Sequence, residues 1–222
     1  MKKLVCESWI LNETYESNKE LERIIDPIMK GRDKLNTPRT LKDLFKKVDL
    51  TLFPILRRFL QSDVKLVFDS NAQYPMFAFP PYEKEDIKMY PYLNNEEPAG
   101  IVIINNDEDS LLHELQHAFD YFRSNGKMAK SKKIRQYQKI PQDFSNDEHN
   151  VKYMHQEPEQ SAYFTEVFKL TKNMRPNAST KDAFELFKKG FTIWDKLSTN
   201  DKKNLTRKFW QHWQKYQEDK KK

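Results

Sequence analysis

His113-Glu114-Leu115-Gln116-His117 is an H-E-x-x-H sequence, the one stretch of this chain whose residue types and spacing state a chemistry. On a helix, residues i and i+4 lie one above the other, so both imidazoles can reach a single metal ion. Glu114, about 100° further round, can then touch a water bound to that ion and act as its general base. The reaction such a set performs is metal-assisted hydrolysis.

The segment around the motif has the pattern needed to hold it. Leu111, Leu112, Leu115, Phe119 and Phe122 form an apolar stripe opposite His113 and His117, while Asp120 and Ser124 join the histidines on the other face. Asp107, Glu108 and Asp109 suit the positive start of a helix, and Gly126 can close it in a left-handed conformation. Ahead of it, Gly100-Ile101-Val102-Ile103-Ile104 is the strongest strand signal in the chain. Residues 64–68 and 76–79 read as two further strands, the second stopped by Pro80-Pro81. The polar, proline-containing stretch 82–98 reads as an irregular loop.

The first third has apolar residues at helical spacing over 18–30 and 40–60, with Pro54 kinking or dividing the second segment. After Gly126 a basic, polar segment runs to about residue 150. Three helices follow, over 158–173, 180–189 and 199–217; Pro158 suits a first turn, and Ser198 with Asp201 makes a capping-box-like start. No internal repeat or Gly/Ser-rich linker divides the chain. The expectation is one α+β domain: residues 1–62 helical, 63–126 carrying a small mixed sheet and the active-site helix, and 127–222 mostly helical.

At 222 residues the chain is long enough for a sizeable core. Its single cysteine, Cys6, excludes an intramolecular disulfide and fits a reducing compartment. The apolar run after Met1-Lys2-Lys3 ends at Glu7, too short for a signal peptide, and no stretch approaches membrane-spanning length. A soluble cytoplasmic protein without a membrane partner is expected. The balance of 39 Lys+Arg against 33 Asp+Glu gives +6, concentrated at 127–139 and 220–222. Trp210, Trp213 and Tyr216 lie beside Arg207, Lys208 and Lys215, but their spacing suits a helix burying its aromatic side better than a nucleic-acid-binding face.

Two histidines do not complete a catalytic metal site; a third protein ligand is required. In H-E-x-x-H-x-x-G-x-x-H the final histidine position is Arg123 here and the glycine position is Asp120, so that pattern is absent. Carboxylates and the downstream His149, His155 and His212 remain. Glu159 is the first choice, because it falls in the first turn of a helix and Ala162, one turn on, lets two helices approach closely. Glu157 is the second. Attraction of an acidic residue to the helix dipole is the competing explanation for Glu159.

His113-Glu114-x-x-His117-Ala118-x-Asp120 followed by Glu159-x-x-Ala162 resembles the gluzincin zinc metallopeptidases related to anthrax lethal factor and the clostridial Pro-Pro endopeptidases. The resemblance covers roughly residues 101–170. It implies a zincin-like fold, Zn2+ held by His113, His117 and Glu159, Glu114 as general base, and Asp120 orienting a ligand or the helix. The pattern departs in three respects. Lethal factor has a second glutamate where this chain has Tyr163. The relatives' active-site tyrosine position is Lys152 here, with Tyr153 one step closer to the ligand. The relatives are secreted.

The expected activity is zinc-dependent hydrolysis of peptide bonds in a peptide or protein substrate, as an endopeptidase. Tyr153 is the candidate for stabilising the oxyanion, with Tyr163 and His155 as rivals. An extended substrate would pair with an edge strand near residues 100–105. Two competing readings exist. One is a non-enzymatic interaction protein on a zincin fold with a structural or vestigial zinc, although structural zinc favours four protein ligands and cysteine. The other is nucleic-acid binding through residues 127–133, a segment that could equally flank the cleft and favour acidic substrates.

Overall fold

Four consecutive buried residues form the strand Ile101–Ile104, and a strand apolar at every position must be covered on both faces. The computed structural model describes residues 15–45, 54–72, 76–96, 100–105, 108–123 and 157–222. Its strands are β1 (Arg39–Thr40), β2 (Lys65–Phe68), β3 (Met76–Ala78) and β4 (Ile101–Ile104), in one sheet of order β1-β2-β4-β3. β2 runs parallel to β4, with Leu66 opposite Val102. β3 runs antiparallel to β4, with Phe77 opposite Val102 on the other side. The stretch expected to offer a sheet edge near residues 100–105 is therefore an inner strand. Among the described residues the open edge on that side belongs to β3.

The chain divides into two compact units, residues 19–132 and residues 1–18 with 133–222. In the first, the alternation of strand side chains separates two cores. Leu66, Val102 and Ile104 face a cluster built with Leu21, Ile25 and Ile28 of α1 (Tyr15–Lys30), Leu41 of α2 (Leu41–Leu44), Phe59 of α3 (Pro54–Leu60) and Leu111, Leu115 and Phe119 of α5 (Glu108–Arg123). Val67, Ile101 and Ile103 face the opposite way, toward Leu93, Tyr82, Ile87, Tyr90 and Tyr92.

This second layer includes a helix where a loop was expected, α4 (Lys84–Met89). Glu83 and Asp86 cap it reciprocally. Six residues are too few for the apolar spacing that announces a helix. The ends of the segment are pinned together: Tyr82 N–H donates to Asn95 Oδ1 at 2.5 Å, and Asn95 Nδ2 donates to the Tyr82 carbonyl at 3.1 Å. The Tyr92 hydroxyl donates to the Asp69 carboxylate at 3.1 Å, tying the segment to the end of β2. Within residues 40–60 the described residues hold α2 and an α3 that starts at Pro54, the division expected at that proline, whose missing N–H costs nothing in a first turn.

In the other unit, α6 (Glu157–Met174), α7 (Thr180–Gly190) and α8 (Thr199–Asp219) match the three expected helices closely. Phe164, Phe168, Phe187, Phe191, Phe209 and Trp213, with Tyr15 of α1, supply an aromatic core. Gly190 permits close packing, since a Cβ there would lie 2.7 Å from Val167 Cγ1. The Ser198 hydroxyl accepts the Asp201 N–H at 3.1 Å, the cap read from the sequence. Trp213 is buried as the spacing required, whereas Trp210 is 47% exposed.

The architecture is thus mixed α+β, a small four-stranded sheet with mostly helical content. No helix among the described residues is long and apolar enough to cross a membrane. Cys6, Asp107, Ser124, Gly126 and the basic segment 127–139 lie outside the described residues.

Candidate metal centre

The apolar stripe of α5 behaves as its spacing demands: Leu111, Leu112, Leu115, Ala118 and Phe119 are fully buried. That fixes the helix's rotation and, with it, the direction of the motif. His113 and His117 converge, with their Nε2 atoms 3.0 Å apart and ring planes at 75°. Two nitrogens bound to one tetrahedral zinc at about 2.05 Å would stand about 3.3 Å apart, so the observed spacing needs only a small adjustment.

Glu159 sits in the first turn of α6, and it is 8% exposed. One ligand atom from each of His113, His117 and Glu159 lies within 4.8 Å of the others, a group that could hold a metal ion. Two imidazoles and a carboxylate suit zinc and other first-row divalent ions.

Glu114 has a partner that the sequence did not announce. The Phe77 N–H of β3 donates to Glu114 Oε2 at 2.6 Å. Since that N–H is directed to α5, it is turned away from β4, and Phe77 presents its backbone groups along the outer edge of the sheet. Finding this contact from the sequence would have required knowing that β3 is the outer strand. Beside it, the rings of Phe79 and Tyr121 stack at 5.2 Å with planes 24° apart, and Phe77 meets Tyr121 at 5.5 Å. Burial pushes the Tyr121 phenol above its ordinary pKa.

The remaining candidates sort as follows. Asp120 is buried, and Arg123 Nε lies 3.9 Å from its Oδ1 while the guanidinium covers the Phe119 ring at 5.5 Å. Arg123 is therefore packed against its own helix. His212 is not part of the His-His-Glu group: it is buried among Tyr15, Phe164 and Phe168 at centroid distances of 5.9, 5.1 and 5.5 Å. Tyr163 packs edge-on to Phe191 at 5.0 Å, with its hydroxyl 3.5 Å from the Thr192 hydroxyl. Tyr153, Lys152, His149, His155 and the side chain of Glu157 lie outside the described residues.

Comparison with protein-family models, curated proteins and solved structures finds no match to this chain.

Proposed function

We propose that the chain is a zinc-dependent metallopeptidase of the gluzincin kind on a zincin-like fold, hydrolysing peptide bonds. The observation that carries this reading is the His113, His117 and Glu159 group adjoining a glutamate, Glu114, whose carboxylate is fixed by a backbone amide. The three ligands would hold zinc and leave a coordination position for water or substrate. When bound, the zinc would polarise the scissile carbonyl and lower the pKa of the attacking water.

Glu114 takes the proton from that water and passes it to the leaving amine. The Phe77 N–H holds the carboxylate against rotation, so little reorganisation precedes proton transfer. An extended peptide added to the outer edge of β3 would pair with the Phe77 carbonyl, the Phe77 N–H being held by Glu114, and this moves the proposed docking strand from residues 100–105 to Met76–Ala78. Tyr153 remains the proposed oxyanion donor.

The test pairs metal analysis with cleavage of a peptide library by the wild type and Glu114→Gln. The amide keeps an acceptor for Phe77 but cannot serve as a base. Expected are bound zinc in both proteins and cleavage reduced by about 10²–10⁴-fold in the variant. Zinc without cleavage by the wild type would favour the non-enzymatic interaction protein, and iron in place of zinc would overturn the assignment of the metal.

A further inference from the structure

We infer that Phe79 and Tyr121 form a subsite selecting an apolar, aromatic-sized side chain of a peptide lying along the outer edge of β3. The inference rests on the peptidase reading and adds the substrate class. Its starting point is the Phe77 amide, which places β3 directly against Glu114. Phe79 is two residues further on, about 7 Å along an extended chain, and its side chain emerges on the same side as that of Phe77. Tyr121 stands one turn beyond His117 and two turns beyond Glu114 on the same side of α5. The two rings meet as a stacked pair at 5.2 Å. The residue following β3 and a residue of α5 thus contribute one ring each to an apolar pair next to Phe77, whose amide holds the candidate base.

Both rings pack on Phe77, Phe79 at 5.8 Å and Tyr121 at 5.5 Å, and so sit over the rim of the core rather than within it. Phe77 and Phe122 pack against the buried cluster beneath α5, and Phe77 also covers Gly100. Phe79 and Tyr121 join none of the buried clusters among the described residues, and both remain partly exposed. The part of each ring that stays exposed forgoes the burial that would otherwise favour it. A substrate side chain laid on them would recover it. An extended peptide on the edge of β3 has side chains spaced as β3's own are, so one of them falls level with Phe79 when its backbone passes Glu114.

Binding can be read without turnover. Zinc-loaded Glu114→Gln would be titrated with end-blocked octapeptides differing at a single scanned position, Phe, Leu, Ala or Asp, alone and combined with Phe79→Ala, Tyr121→Ala or Tyr121→Phe. At one position, Phe should bind at least about tenfold more tightly than Ala, and Asp should be rejected. Either alanine substitution should abolish that preference, and Tyr121→Phe should keep it. No preference at any position, or one that survives both alanine substitutions, overturns the subsite. A preference lost on truncation, together with no cleavage by the wild type, upholds the subsite and sinks the peptidase reading alone.

Discussion

Tyr92 and Glu114 both have oxygen atoms tied to a partner far along the chain, and the two bonds serve different ends. The Tyr92 hydroxyl donates to Asp69, whose other oxygen accepts the Asn71 N–H at 2.9 Å. Burial first, then the bond to Asp69 and the negative charge beside it, raise the Tyr92 pKa. A group with a raised folded pKa stabilises the fold fully below its unfolded value, about 10 for tyrosine, and loses that contribution as pH climbs above it. Tyr90, raised chiefly by burial, acts in the same direction. Tyr92→Phe should cost about 1.5 kcal/mol at neutral pH and flatten the loss of stability above about pH 10, measured by urea denaturation across pH 7–11. The residues readable in advance were those acting through local spacing: His113, Glu114 and His117 needed only the helical repeat. The Phe77 amide and the Asp69–Tyr92 bond depend on which strands are neighbours, and no local pattern encodes that.

Strands and helices were legible where they were long or strongly apolar. β4, α5 and the three helices from Glu157 to Asp219 were found within a few residues, because burial of one or both faces imposes a visible period. α4 was hidden by its brevity and flanking prolines, and the outer position of β3 by the order of the sheet. Gly100 links sheet order to the site. A Cβ there would lie 2.4 Å from Phe77 Cε2 and Cζ and 3.0 Å from the Ala78 carbonyl oxygen. Gly100→Ala should therefore displace the strand that holds Glu114. A loss of about 1–3 kcal/mol in denaturant titration is expected, with a matching fall in kcat/KM. Shortening the ring in Gly100→Ala/Phe77→Leu should restore part of the stability; no rescue would place the strain elsewhere.

At the scale of the molecule, the sequence conveyed the α+β class but not the two compact units, since no compositional break marks them. A metal that binds the folded chain alone adds RT ln(1 + [L]/Kd), about 2.7 kcal/mol at a hundredfold excess over Kd. Zinc should thus raise Tm and chelation lower it. Glu159→Ala should shrink that increment while leaving the Tm of the metal-free protein nearly unchanged, as followed by calorimetry with and without chelator. An increment of undiminished size would remove Glu159 from the ligand set. β4 has a wider consequence. Its odd-numbered residues serve the layer of α4 and its even-numbered residues the layer of α5, so one strand acts as a partition between two separately packed compartments. A change of volume on the α4 side is therefore met first by that layer, and reaches the α5 side through the backbone of the sheet, including Met76 and Ala78 on either side of Phe77. α5 and the outer segment are in that sense packed by opposite faces of the same strand.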